Sequence, residues 1–323
     1  MPAPVNMNPP ETLQRAAAPR RGDDLLARVV RRRSGRIWGF AGYIAVLLVC
    51  LSRPLIALAA SAADSDIHSH ILLIPFVSAY LIYIGRRRLT AAFSTSIVWA
   101  AGPAFLGAAA LAASFAMRTR LSLNDDLALV ALAVVAFTWA GGFLFLGPRW
   151  MGDAAFPMAF LIFMVPLPDG AVEWLETASK LASAEAASMF FALAGTPVFR
   201  NGNVFQLPGI TIQVAQECSG IHSSWVLFIT SLIASHMFLH RTWRRAVLVA
   251  FVIPLGILRN GFRILVIGLL CVHIGPRMID SPIHHRGGPV FFVLSLIPFF
   301  LLLWWLRKGE GRAGYTGGPQ ARS

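Results

Sequence analysis

Long apolar runs, separated by short basic or Gly/Pro-punctuated segments, make up most of the chain. Eight of them read as membrane spans, at about residues 37–60, 67–85, 94–117, 127–147, 154–172, 222–240, 246–273 and 288–306. About 20 residues of helix cross the hydrocarbon of a bilayer. The runs lack the strict alternation of barrel strands, and in lipid every backbone N–H and C=O must be paired internally, so they are predicted to be helices. The fifth run is interrupted by Pro166 and Pro168. The expected fold is an all-α polytopic membrane protein of about eight transmembrane helices, with one extracytoplasmic amphipathic helix and a small hairpin.

The helix and hairpin fall in the one long polar interruption, residues 166–221. Glu173 to Leu193 has helical spacing with a few charges and reads as an interfacial amphipathic helix. Val204-Phe205-Gln206-Leu207 and Ile210-Thr211-Ile212-Gln213-Val214 flank Pro208-Gly209, which suggests the hairpin.

Composition agrees with the membrane reading. The chain is 56% hydrophobic and 13% charged, against roughly 25% charged residues in soluble domains. The formal net charge of +13 does not imply nucleic acid, because the basic residues form no patch on a folded domain. They lie in the N-terminal tail, with Arg31-Arg32-Arg33 and Arg36, and between runs, as at Arg86-Arg87-Arg88 and Arg241, Arg244 and Arg245. Such residues mark cytoplasmic loops. Both termini are then cytoplasmic and residues 166–221 face outside. Three regions follow: a basic disordered tail at 1–36, a transmembrane domain at 37–306 and a cytoplasmic tail at 307–323. The first long apolar helix directly follows the tail, which excludes a cleavable signal peptide.

Three groups of polar residues fall at or towards the outer face. Glu217-Cys218-Ser219-Gly220 precedes the sixth span. A thiol at a helix N-terminus has a lowered pKa, and the thiolate is the nucleophile. The bland alternative is an inert buried cysteine. Ser219 is a rival nucleophile without a G-x-S-x-G elbow around it. Arg259, Asn260 and Arg263 lie within the seventh span. An Arg at a helix centre costs on the order of 2.5–3.5 kcal/mol, so two of them call for a partner or a cavity. They could stabilise a thiolate or an oxyanion, or only hold helices together. Arg263 lies roughly 14 Å below the outer end of its span, deep for such a role. His284 and His285 precede the eighth span, where a helix N-terminus keeps an imidazole neutral and able to accept a proton; a loop histidine without a role is the alternative. His68 and His70 are two apart, on opposite sides of a helix, which speaks against a metal site. Cys50 and Cys271 lie within apolar runs and read as small core residues. No cofactor is implied.

At these residues the chain resembles the exosortase/archaeosortase family of membrane cysteine transpeptidases, over about residues 60–306. The likeness runs through Ser69-His70 with Leu73-Ile74-Pro75, Arg86-Arg87-Arg88, Phe163-Met164-Val165-Pro166-Leu167-Pro168, Gly195-Thr196-Pro197-Val198 and Arg200-Asn201-Gly202-Asn203. It continues through Glu217-Cys218-Ser219-Gly220-Ile221, Asn260-x-x-Arg263, and His284 with Gly288. The resemblance implies cleavage of C-terminal sorting signals of the PEP-CTERM type: a short motif, a transmembrane helix and a basic tail. The protein is then passed to an acceptor, a lipid or a polysaccharide. It implies Cys218 as nucleophile, Arg263 as the cation holding thiolate or oxyanion, and His284 as the proton carrier. Glu217, Asn260 and Arg259 would support them, and His285 is an alternative to His284. The expected site is the outer side of a bacterial inner membrane.

Three other readings fit part of the pattern. A transporter also uses intramembrane arginines and broken helices, but its charged groups gather near the midplane and it has no need of Cys218. An assembly protein for envelope polysaccharide would use the cleft for binding alone. A plain intramembrane protease would share the acyl-enzyme and release its product to water.

Overall fold

The computed structural model describes residues 21–64, 69–87, 89, 93–208, 210–213, 221–275, 277–278 and 288–315. The chain divides into two compact units.

The first unit comprises residues 1–59, 73–121 and 126–165. Helix α1 (Arg21–Cys50) meets α2 (Ser52–Asp64) at a bend of 76°. The first apolar run is thus a broken helix. The unit continues with α3 (Ile74–Gly85), α4 (Ile97–Met117) and α5 (Leu123–Gly141), which runs on through a π-type turn at Gly142–Leu146. Short helices α6 (Pro148–Asp153) and α7 (Ala155–Phe160) follow. Their core is Leu146, Trp150, Met151, Ala154 and Met158. Trp139 Nε1 donates to the Met158 carbonyl at 2.8 Å, and Tyr43 Oη donates to the Phe137 carbonyl at 3.1 Å. Each satisfies a polar tip on an apolar body. Gly147 has φ +93, and a Cβ there would clash with the backbone of Ser94, so only glycine fits.

The second unit comprises residues 60–72, 122–125 and 166–323. Its axis is α10 (Thr242–His273), flanked by α8 (Asp169–Leu193), α9 (Ile221–Phe238) and α11 (Gly288–Tyr315). Glycines on α10 set these approaches: Gly256 faces Ser224 of α9, Gly261 faces Ala186 of α8, and Gly268 faces Phe191 of α8. Small residues let apolar helices pack closely where no hydrophobic effect drives them together. Leu227, Leu248, Val252, Phe299 and Leu303 form the core of α9, α10 and α11. At one end, Glu310 of α11 accepts hydrogen bonds from the backbone N–H of His240 and of Arg241, the residue that starts α10. Arg244 Nη1 donates to the Leu306 carbonyl at 2.6 Å.

Strands β1 (Phe199–Asn201), β2 (Val204–Leu207) and β3 (Ile210–Gln213) form an antiparallel sheet in that order. Phe205 pairs with Ile212 and Arg200 with Phe205. The hairpin around Pro208 is the one expected. The third strand, β1, is additional and turns into β2 at Gly202, whose φ is +60.

Four described helices are long and apolar enough to cross a membrane: Ile97–Met117, Leu123–Leu146, Thr242–His273 and Gly288–Glu310. The number is up to six if each bent pair counts as one span. The expected eight are not reached. Ile74–Gly85 and Ser223–Phe238 are apolar but shorter, and the fifth run bends by 92° between its helical end at Met164 and α8. Pro166 and Pro168 lie in that bend, and proline restricts both its own φ and the residue before it. The last residues of the predicted fifth span belong to α8.

The glycine contacts are testable. A Cβ at Gly261 would stand 2.7 Å from Ala186 Cβ and 3.0 Å from Ala187 N. Gly261→Ala is expected to lose about 1–3 kcal/mol by overpacking, more than the roughly 1 kcal/mol that helix propensity returns. Gly170→Ala, with open space around it, should leave the melting temperature unchanged or raised. Thermal unfolding of the purified protein in detergent reads both.

Candidate active site

α10 carries Arg259, Asn260 and Arg263. Arg259 and Asn260 are buried, and Arg263 is half-buried. Arg259 and Arg263 share a helix face, four residues apart. Arg259 Nη2 donates to Ser224 Oγ at 3.0 Å. Ser224 lies in the first turns of α9, and Gly256, one turn before Asn260, gives its hydroxyl room: a Cβ there would meet Ser224 Oγ at 2.7 Å. Arg259 also borders a cleft of about 250 Å³ between α10 and α11, lined by Leu255, Phe262, Phe291, Leu294 and Ser295.

Phe205, Leu207 and Ile212 of the sheet pack on Ile264, Ile267 and Cys271 of α10, with Phe191 of α8. That end of α10 is therefore covered by protein. The 32 residues of α10 extend about 48 Å, against roughly 30 Å of hydrocarbon, so a crossing α10 would extend beyond it. Lipid-exposed sheet edges are unfavourable in hydrocarbon, which makes the sheet-covered end the part expected to lie outside. Measured from Arg245, Arg263 is about 27 Å along the axis, and the boundary expected on this argument falls close to it.

The other predicted site residues, Glu217, Cys218, His284 and His285, lie outside the described residues, as do Ser219 and Gly220. Cys218 precedes Ile221, the first residue of α9, by three positions. Arg259 is thus tied by hydrogen bond to the helix that the cysteine leads into. Cys271 is buried in the core beneath the sheet, as a small core residue, whereas Cys50, expected in the core as well, is exposed at the end of α1.

The transmembrane exosortase family model (Exosortase_EpsH) matches residues 60–301, about three quarters of the chain. The chain belongs to the transmembrane exosortase family. No curated protein and no solved structure matches it. The family is generally one of cysteine transpeptidases, and membership supports a role in processing sorting signals. The match covers the 3₁₀ turn Ser69–Leu72, α9, α10 and the first half of α11 of this exosortase.

Two polar positions escaped the sequence reading. Ser224 was one apolar-run serine among several. Glu176 is a carboxylate buried on α8; its burial face carries Ser183, Ala184 and Ala187, while Trp174, Leu181, Met189 and Leu193 are exposed. Only the small size of that face marked it beforehand.

The boundary is testable with a membrane-impermeant maleimide on opened membranes, in a background with Cys50, Cys218 and Cys271 replaced by Ala. Ile274→Cys, beyond the sheet-covered end, should label readily. Ile253→Cys, exposed but about 12 Å along the helix from Arg245, should not. Labelling of both alike would sink the boundary drawn at the sheet.

Proposed function

We propose that this chain is a membrane cysteine transpeptidase that cleaves C-terminal sorting signals and transfers the exported protein to an acceptor, a lipid or a polysaccharide. It acts in the bacterial inner membrane, with both termini cytoplasmic and the site on the outer side. The observation that carries the reading is the hydrogen bond from Arg259 to Ser224. It ties a cationic helix to the helix that follows Cys218, within a chain of the exosortase family.

The chemistry is acyl transfer. The Cys218 thiolate attacks the scissile carbonyl carbon, forming a C–S bond and a tetrahedral oxyanion. Arg263 stabilises that anion, with Arg259 and Asn260 holding the helix face. The C–N bond breaks, and His284 gives its proton to the leaving amine. The membrane-anchored tail departs and a thioester remains. The acceptor's nucleophile then loses its proton to His284, attacks the thioester and releases the thiolate. Glu217 orients the segment next to the thiol, and His285 is the alternative proton carrier. No metal or cofactor is needed. The cleft between α10 and α11, apolar but for Arg259 and Ser295, suits the entry of an apolar sorting-signal helix from the bilayer.

A transport role is less well supported, because it has no need of a thiol at Cys218. A tagged sorting-signal protein followed by gel shift in cells decides the matter. Cys218→Ala and Arg263→Ala, at normal membrane level, should abolish processing. Of His284→Ala and His285→Ala, one should do so. Normal processing by Cys218→Ala would remove the thiol reaction and bring the transport and assembly readings forward.

A further inference from the structure

The 3₁₀ turn Ser69–Leu72 is joined to α9 through a polar contact between distant parts of the chain. Trp225 Nε1 donates to His70 Nε2 at 3.1 Å, and the two rings meet edge-on with centroids 6.3 Å apart. Trp225 stacks in turn on Phe228, at 5.6 Å and 26°. His70 itself is half-buried, next to the fully buried Ile71.

The chemistry of this pair fixes the state of the histidine. An indole N–H is a donor only. His70 Nε2 must therefore present a lone pair, so the imidazole is neutral and carries its proton on Nδ1. An imidazolium, with a proton on both nitrogens, would lose the bond. Nε2 is thus occupied, and it serves neither as a general base nor as a metal ligand. Through this contact His70 holds Trp225 in place.

Trp225 adjoins Ser224, the residue that receives Arg259. The first two turns of α9 are braced on one side by His70 and on the other by Arg259. Cys218 leads directly into those turns. We propose that His70 is a positioning residue of the acyl-transfer reaction: as a neutral acceptor for Trp225 it sets the rotation of the first turns of α9, to which the Cys218 segment is joined. This rests on the thiol reading of the site. It adds a residue that the mechanism above does not use.

The test is the rate of sorting-signal processing in cells, by pulse-chase and gel shift, with membrane level checked by immunoblot. His70→Ala and Trp225→Phe should each slow processing by about ten- to a hundredfold, the scale of a displaced reacting group. His70→Gln, whose Oε1 reaches the place of Nε2, should restore most of the rate. His70→Asn, whose Oδ1 takes the place of Nδ1, should not. A merely space-filling residue would show no such order. The double variant should be no slower than the slower single one, since both remove the same bond. If His70→Ala fails to insert, Trp225→Phe and His70→Gln carry the test. A wild-type rate in His70→Ala or Trp225→Phe, or His70→Gln as slow as His70→Ala, overturns the proposal. Cys218→Ala is run beside them. If it alone stops processing, the thiol reading stands and the role of His70 falls. If it processes normally, both fall.

Discussion

A guanidinium group on an apolar helix is the constraint around which the second unit is organised. An Arg at the centre of a membrane helix costs on the order of 2.5–3.5 kcal/mol, and α10 carries two within its apolar sequence, one turn apart, so that even off-centre they need partners. The neighbouring elements must supply polar atoms and keep lipid away. Ser224 supplies a hydroxyl, and α8, α9 and α11 surround the helix. The glycines make this possible. Ser224 reaches Arg259 because Gly256 has no side chain in its way, and α8 closes over the same helix because Gly261 has none either. The small-residue packing and the buried charge are one arrangement: a bulkier α10 would hold its neighbours too far off to shield or bind the cations.

The sheet belongs to the same arrangement. Its strands cannot enter hydrocarbon, so its apolar face must find protein to cover, and it finds the end of α10 just past Arg263. The result is a helix of two environments. Up to about residue 263 its surface packs against other helices. Beyond that the surface faces Phe205, Leu207 and Ile212. The arginines stand where one environment gives way to the other, which lets a long side chain reach towards water while its stem stays in apolar surroundings.

Much of this was legible in the residues. The helices over 97–117, 123–146, 242–273 and 288–310 follow from unbroken apolar runs, and β2 and β3 from alternation around Pro208-Gly209. The arginine pair was legible from its insertion cost alone. What hydropathy missed was direction. It sums apolarity over a window and is blind to a bend, so the first run, broken at Leu51, was read as one continuous span, while Pro166 and Pro168 marked the fifth run as interrupted without showing how sharply it turns. It also cannot tell lipid from a protein core: Ile264, Ile267 and Cys271 are apolar because a sheet covers them. The pairing of His70 with Trp225 joins positions 155 apart. Local spacing, which set His70 only against His68, carries no trace of it. Cys218, Glu217, His284 and His285 were chosen from helix boundaries and resemblance, and the described residues reach only to the helices that follow them.

The placement of the arginines also bears on the proposed chemistry. Two unit charges 4 Å apart attract by about 1 kcal/mol in water and about 4 kcal/mol at an effective dielectric of 20. A cation beneath a sheet and beside apolar helices therefore acts on a transient thiolate or oxyanion more strongly than one on an open surface would. The environment that makes Arg259 and Arg263 costly in the resting protein is the one that makes them effective when an anion forms beside them. Interactions stronger in the transition state than at rest are what acyl transfer requires. A rigid helix braced on several sides would hold such a cation fixed, so that little reorganisation accompanies the reaction. On the proposed mechanism the glycines, the sheet and the Ser224 contact would serve catalysis as well as folding, because each limits how far α10 can move away from a forming charge.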